Sequence, residues 1–428
     1  MQNNIYRIKR SSIIGILIVY YVLMDSSFPF ATNSFGLKFF YWSKFILAMI
    51  VIFYARFFSA KKIKYSLKKS CRSTCRLFIV PWILMLLYSG MVWLLQNTHT
   101  PYITRGVSNF LSNIIPIMLG TALVIIFQEK IIELTVIAVC LMAITNYITG
   151  VIINGPSFIV QLFNINCEES IYRVYKELHE IAYISGLFLL YYFHKKEYKI
   201  NKTWIFMIFA CFFFSWKRIG IFALLLALLF SEILMHLNKC EKKFGIIVCG
   251  IIATFFSIVY VYFSASDELS ILLHKYGINM MGRDVLYSYF RKFCSFSVGF
   301  FGRGIGFVSR QFNYLTYDDV GDMVALKQGL HNDLFSIYLE IGMFGFWGWI
   351  IYQLIYAPQK IYKYFGLNSA VQYFTYIVFT FVTYTTDNTL RYFVYQMVLV
   401  MIIAVSNYEN SNKKNIKRGE IDSYENYA

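Results

Sequence analysis

The residues of this chain best suited to chemistry lie between Met281 and Trp347. Arg283 follows a glycine, Arg303 stands inside a glycine run, and His331 precedes a long apolar segment. A histidine titrates near neutral pH and can take a proton from a hydroxyl, whereas a guanidinium fork binds phosphate oxygens in pairs. This combination predicts chemistry on an anionic substrate, such as a lipid that carries phosphate.

His331 is the predicted general base, or the group that orients an attacking hydroxyl. Asn332 and Asp333 follow it directly, at the start of the apolar segment. Positive charges nearby would keep the imidazole neutral, as a base requires. A histidine at the start of a helix is also a common capping or packing residue, and this alternative stays open.

Two carboxylates share the helix face behind His331. Glu340 lies seven residues beyond Asp333, so both fall on one side of a helix, with Glu340 about 10 Å further along the axis. An ionisable group at that depth in a membrane faces the bundle interior or a cavity and is a functional candidate. We expect both carboxylates to support His331, with orientation of a neighbouring helix as the equal alternative for Glu340.

Other charged residues stand where further apolar segments begin or end. Lys217 and Arg218 form the turn between two such segments, where a loop charge pair is the alternative to a phosphate site. Arg173 and His179 lie just before another segment. These positions predict additional contacts to an anionic substrate.

Asp387 and Arg391 lie four residues apart near the last apolar segment. Both stand at the last turn that is predicted to face outside. We therefore expect a structural ion pair between them.

The glycines at 299, 302, 304 and 306 allow a tight backbone path around Arg303. Their order matches neither the dinucleotide-binding fingerprint nor a P-loop, since no Gly-Lys-Ser/Thr follows. The preceding residues 283–293 carry apolar positions on one helix face. They predict a helix in the headgroup region that holds Arg283 at phosphate depth, with a plain interfacial anchor as the alternative.

Long apolar runs predict an all-α, polytopic membrane helix bundle. Hydrophobic residues make up 58% of the 428 residues and charged residues 15%. Continuous runs of about 18 to 22 residues are long enough to cross a bilayer as helices, whereas a barrel would show short alternating strands. About twelve spans are predicted, at residues 11–28, 39–59, 77–96, 108–127, 131–150, 180–194, 203–216, 219–237, 244–264, 334–356, 368–386 and 391–407.

The net charge of +17 follows the predicted topology rather than a nucleic-acid surface. Most lysines and arginines fall at the ends of the spans that would face the cytoplasm, which places both termini there, beside anionic lipid headgroups. Two larger loops, 151–179 and 265–333, would then lie outside, and the cations of the second favour an anionic substrate. Residues 1–408 are predicted to form one integral membrane domain, and 409–428 a disordered cytoplasmic tail.

In order and placement, these motifs resemble the superfamily of O-antigen ligases and Wzy-type polysaccharide polymerases. The shared pieces are Gly282-Arg283, the glycine run, and a His-Asn-x-Leu-x5-Glu-x-Gly-x-x-Gly pattern that begins at His331. Ser215-Trp216-Lys217-Arg218 is similar to the family's Ser-x-Arg turn with one extra residue. Arg173 to His179 is similar to the Arg…His-Pro entry of the preceding span, with Glu180 where the family has proline.

The resemblance covers about residues 170–350 and implies a glycosyltransferase with a lipid-linked donor. An acceptor sugar hydroxyl would attack a glycan on undecaprenyl diphosphate at the outer face of the cell membrane, and the lipid diphosphate would leave. The resemblance further implies catalysis without metal or cofactor, with arginines in place of the cation. Its catalytic residues would be His331 as the base, with Arg218 and Arg283 clamping the diphosphate. The substrate-binding residues would be Arg173, Arg303, Lys217, His179, Asn332, Asp333 and Glu340.

The favoured function is a polymerase that joins oligosaccharide repeat units. A ligase that moves a finished glycan to another acceptor is the first alternative, disfavoured because the second outer loop has no insertion for a protein acceptor. A flippase for lipid-linked sugars is the second alternative. Transporters typically show internal repeats and charges at the bilayer midplane. This sequence shows no convincing internal repeat, and its ionisable residues cluster at the predicted outer boundary, so a flippase is disfavoured. The expected partners are the lipid-linked oligosaccharide, membrane lipids, and a chain-length regulator and flippase of the same pathway.

Overall fold

The computed structural model describes residues 10–27, 34–59, 63–164, 175–178, 180–195, 202–277, 280, 282–316 and 329–417. Within these ranges the chain is helical and contains no strand, so the all-α prediction is confirmed for them. The helices of the first half are α1 (Arg10–Ser27), α2 (Ser34–Tyr54), α3 (Tyr65–Leu95), α4 (Thr100–Phe127), α5 (Lys130–Asn154), α6 (Ser157–Leu162), α7 (Glu180–His194) and α8 (Lys202–Phe214). Those of the second half are α9 (Arg218–His236), α10 (Lys239–Ala265), α11 (Glu268–Lys275), α12 (Arg283–Arg291), α13 (Phe307–Gln311), α14 (Asp333–Ile351), α15 (Ala357–Phe365), α16 (Leu367–Tyr384) and α17 (Phe393–Lys417).

Seven helical segments among the described residues are long and apolar enough to cross a membrane. They are Trp42–Ser59, Tyr65–Leu95, Thr100–Phe127, Lys130–Asn154, Arg218–His236, Lys239–Ala265 and Asp333–Phe365. Each predicted span coincides with a helix, but α7 is only 15 residues long, and α16 and α17 carry many buried polar side chains. The chain is therefore a membrane protein, and the twelve-span topology stays a prediction.

The chain forms two compact units that alternate along the sequence. The first comprises Met1–Cys75, Ile115–Leu224 and Val394–Ala428. The second comprises Arg76–Ile114 and Leu225–Phe393. The motif-bearing stretch from 282 to 345 belongs entirely to the second unit.

In the first unit, α1 packs along α5, and α7 packs along α8. Glu180 opens α7 with 4% of its surface exposed, and its carboxylate accepts a hydrogen bond from the backbone N–H of Val394 at 3.2 Å. Val394 stands in the first turn of α17, where helix N–H groups lack partners and a carboxylate is favourable. Glu180 thus has a structural task, the capping of α17.

The predicted tail begins inside a helix, because α17 continues to Lys417. Glu409 accepts a hydrogen bond from the Tyr191 hydroxyl at 3.0 Å and pairs with Lys195 at 2.8 Å. These contacts anchor the end of α17 to α7. The prediction of disorder from residue 409 is therefore wrong for 409–417, and residues 418–428 lie outside the described part of the chain.

In the second unit, α14 is broken at Gly342, whose φ of +67° and ψ of −171° are not helical. The chain between α12 and α13 lies against this break. The N–H of Gly304 donates to the carbonyl of Glu340 at 2.7 Å, and the N–H of Met343 donates to the carbonyl of Phe300 at 2.9 Å. Backbone groups freed by the break are thereby satisfied by the glycine segment, as a nonpolar surrounding requires.

The glycine run follows the tight path predicted for it. Gly302, Gly304 and Gly306 all have φ near +87°, a region that other residues rarely adopt. A Cβ atom at Gly302 would overlap the backbone at Gly342, and one at Gly304 would overlap the Trp93 indole. This close approach fixes Arg303 relative to α14.

Candidate active site

His331 occupies a strained position directly before α14. Its φ is +50°, in the left-handed region that is costly for a non-glycine residue and is concentrated at functional sites. Its backbone N–H donates to Asn388 Oδ1 at 3.0 Å. Its Nδ1 lies 3.5 Å from Asp387 Oδ1. The imidazole is 25% exposed, so it can be reached from solvent while its backbone is held.

Asp387 is the carboxylate that faces His331. Its Oδ1 accepts hydrogen bonds from the Tyr392 hydroxyl at 2.7 Å and from the Asn388 backbone N–H at 2.9 Å. Two groups lie 3.5 Å from His331 Nδ1: the Asp387 carboxylate, which favours a proton on Nδ1 and leaves Nε2 as the base, and the side-chain amide nitrogen of Asn388. The 3.5 Å separation is at the outer limit of a hydrogen bond, as is common at catalytic pairs without substrate.

Asn332 is a positioning residue rather than a residue open to substrate. It is fully buried, and its Oδ1 caps α14 by accepting the Phe335 N–H at 3.0 Å. Its Nδ2 donates to Tyr260 at 3.2 Å and to Ser264 at 3.2 Å. Both side-chain groups are thus used to fix the residue next to His331 against α10.

The predicted supporting carboxylates reach the turn that carries Asp387 rather than the imidazole itself. Asp333 Oδ2 accepts the Leu390 N–H at 2.7 Å. Glu340, 2% exposed, pairs with Arg391 at 3.3 Å. Because Leu390 and Arg391 form the short 3-10 turn after Asp387, these contacts hold Asp387 in front of His331.

Arg391 was expected to pair with Asp387, and the structure pairs it with Glu340 instead. Its guanidinium also donates to Ser336 at 2.7 Å and to Ser309 at 2.5 Å. The i,i+4 rule requires a continuous helix, whereas the chain bends at 387–388 and then forms a 3-10 turn. Arg391 therefore joins α13, α14 and the turn into one network.

Arg283 stands at the start of α12, after Gly282 with a φ of +76°. The guanidinium is half-buried and makes no hydrogen bond or ion pair within the described ranges. Burial raises the pKa of the Tyr287 phenol, and the nearby positive charge of Arg283 opposes that rise. The Tyr287 hydroxyl in turn lies 3.5 Å from the His331 carbonyl. Arg283 is thus an uncommitted cation on the helix that contacts the His331 backbone.

Arg303 is also half-buried, but part of its guanidinium is committed. Its Nε donates to the carbonyl of Phe293 at 3.0 Å, and its backbone N–H donates to Leu339 at 3.0 Å. Guanidinium has five donors, so groups remain for a second ligand.

The remaining predicted residues belong to the first unit. Lys217 forms an ion pair with Glu177 at 2.5 Å. Glu177 was not predicted from the sequence as its partner. Arg218 is the exposed first residue of α9. Arg173 and His179 lie outside the described residues. Substrate contacts by these four side chains stay predictions.

Sequence reasoning missed Asp387, Tyr392 and the network of Arg391 as parts of the His331 site. The available signal was the polar segment Thr385-Thr386-Asp387-Asn388-Thr389, which interrupts apolar sequence. Only the fold brings this segment to His331, which is more than 50 residues away in the chain. Within the described ranges, no group of three His, Cys, Asp or Glu side chains could hold a metal ion.

In the part of the chain that the structure describes, the fold is an all-helical membrane protein with a His–Asp pair, and the helix that contacts the His331 backbone carries an arginine with no hydrogen-bond partner there. No known protein family and no curated protein matches this chain.

Proposed function

We propose that this protein is a polysaccharide polymerase that joins oligosaccharide repeat units carried on undecaprenyl diphosphate. The observation that supports it most is the pairing of His331 with Asp387 at a strained backbone position, with Arg283 uncommitted on the adjacent helix. A base and a phosphate-binding cation are the two groups that this transfer needs. The motif resemblance supplies the substrate class.

In the proposed reaction, His331 Nε2 takes the proton of an acceptor sugar hydroxyl. The hydroxyl oxygen forms a bond to the anomeric carbon of the donor, and the bond from that carbon to the diphosphate oxygen breaks. The diphosphate leaves with the bonding electron pair, and its negative charge increases in the transition state. A preorganised guanidinium such as Arg283 stabilises that charge.

Asp387 stabilises the imidazolium that forms when His331 accepts the proton. A carboxylate in this role holds the ring and its tautomer without taking the proton itself. Tyr392 and Asn388 fix the carboxylate, and Asp333 and Glu340 fix the turn. The acidic residues thus act through position, while His331 and Arg283 contact the reacting groups.

The test is complementation of a gene deletion with wild-type protein and with His331→Ala, with surface glycans separated on a gel. We expect a ladder from wild type and a single repeat unit from His331→Ala at equal protein level. His236→Ala is the control, because His236 is a highly exposed histidine with 84% of its side chain accessible. A normal ladder from His331→Ala would contradict the proposal. Long glycans that stay on the lipid carrier would instead identify a ligase.

A further inference from the structure

A groove between α11 and α12 has no role in the site described above. Its volume is about 570 Å³, within the range of small-molecule binding sites in proteins. Ser270, Ile271 and His274 line it from α11, and Asp284 and Ser288 line it from α12. Residues three and four apart share a helix face, so each helix turns one continuous face to the groove.

The lining suits a ligand rich in hydroxyl groups. Serine hydroxyls and a neutral imidazole can both donate hydrogen bonds to alcohols and accept them, and carboxylates accept them. Between them lie Ile271 and Val285, which are 64% and 39% exposed, and the ring of Tyr289. The Tyr289 hydroxyl is held by Gln311 at 2.6 Å. A sugar offers hydroxyls at its edge and C–H groups on its faces, and both find partners here.

Two pairs of opposite charges stand at the groove, and the exposed Lys292 also lines it, with its ammonium 5.5 Å from the centroid of the Tyr289 ring. His274 Nε2 lies 3.3 Å from Asp284 Oδ2, across the groove from α11 to α12. Asp267 pairs with Arg291, which also donates to Ser270 at 3.0 Å. The lining thus carries two carboxylates, Asp267 and Asp284, against the one ammonium of Lys292, a balance that disfavours a phosphate. These features favour an uncharged ligand.

The groove adjoins the His331 site through α12. Tyr287, on the buried face of this helix, contacts the His331 carbonyl, while Ser288 and Asp284 face the groove. Arg283 opens the same helix. A ligand in the groove and a ligand at His331 would thus lie on two sides of one nine-residue helix.

We propose that the groove between α11 and α12 binds an uncharged stretch of the glycan and holds the chain while units are joined. The proposal rests on the proposed function for the identity of the glycan. The site itself is distinct from the His331 centre, because the groove lining includes neither His331 nor Arg283.

The experiment measures binding of a soluble oligosaccharide to the purified full-length protein by calorimetry. The probe is the oligosaccharide released by mild acid from the lipid-linked glycans of the producing cells. Ile271→Trp and Ser288→Trp fill the groove from opposite walls. Leu272→Trp is the matched control, because Leu272 is an exposed apolar neighbour on α11 that does not line the groove.

We expect wild type and Leu272→Trp to bind the probe alike, and both groove variants to lose affinity by about tenfold or more. Absence of binding to wild type, equal binding by the groove variants, or an equal loss in Leu272→Trp would overturn the proposal. Failure of the polymerase proposal would appear as a normal ladder in His331→Ala, whatever the binding result.

Discussion

At the scale of single residues, the position of His331 is the feature that sets this site apart. A left-handed backbone at a non-glycine residue costs about 1 to 3 kcal/mol, and it is held here by Asn388 from outside the local chain. Asn332 caps α14 and is locked by α10. The strain is thus maintained by the surrounding fold, and it directs the imidazole toward Asp387.

Asp387→Asn should slow glycan transfer by about 10² to 10⁴-fold. The amide keeps the shape of the carboxylate but neither stabilises the imidazolium nor fixes the tautomer. The measurement is the rate of polymer formation in membranes of complemented cells, normalised to protein level. The loss should fall on kcat rather than KM, because Asp387 acts through His331. An unchanged rate would show that Asp387 has only a structural part.

Arg283→Lys should also reduce transfer, although it keeps the charge. Guanidinium can bind two diphosphate oxygens at once, and an ammonium group cannot reproduce that geometry. The same membrane assay measures the effect. Arg56→Lys, at an exposed arginine of the first unit, is the control and should leave the rate unchanged. Full activity in Arg283→Lys would remove the argument for paired hydrogen bonds.

At the scale of elements, the break in α14 joins the glycine run to the helix that follows His331. Gly342→Ala should destabilise the protein, because the added Cβ would overlap the backbone of Phe300 and Phe301 and the φ is positive. The expected cost is roughly 1 to 3 kcal/mol or more. Gly348→Ala is the control on the same helix, since nothing lies within 4 Å of its Cβ.

The measurement for this pair is thermal unfolding of the purified protein in detergent. Gly342→Ala should lower the Tm by several degrees, whereas Gly348→Ala should leave it unchanged or raise it slightly, because alanine favours helix. Equal Tm values for Gly342→Ala and wild type would mean that the break in α14 is not required for packing.

The elements also show where sequence reasoning succeeds and where it fails. Continuous apolar runs and the positions of glycines are local signals, so the helices and the tight path at 302–306 could be predicted. The partner of Arg391 could not, because it depends on a bend at 387–388 that ends the i,i+4 register. Glu340 and Asp333 were recognised as important, but their partners lie on a turn that only the tertiary fold brings near.

At the scale of the whole molecule, the charge pattern predicts which side of the membrane each loop faces. In the Ser288→Cys variant, the new cysteine should react with a membrane-impermeant maleimide in intact cells. The native Cys240, which is exposed at the start of α10, should react only after the cells are permeabilised. Cys167 is replaced by serine to remove a background thiol of the predicted outer loop. The reverse labelling pattern would invert the predicted topology and exclude an outward-facing site.

The native Cys294 should contribute little to that labelling at neutral pH. Burial raises the pKa of its thiol to about 11, so the reactive thiolate is scarce below that pH. Its labelling should increase as the pH rises toward the pKa. The control protein keeps Ser288 and has Cys167 replaced by serine. Rapid labelling of Cys294 in this protein at pH 7 would contradict the burial of its thiol.

The most direct test of the central claim is polymerisation by the purified protein in liposomes that contain undecaprenyl diphosphate-linked repeat units. Wild type should lengthen the glycan and release one undecaprenyl diphosphate for each linkage formed. His331→Ala should bind the lipid-linked donor but form no linkage. Equal rates of linkage formation by wild type and His331→Ala would contradict the account, because His331 is the proposed base.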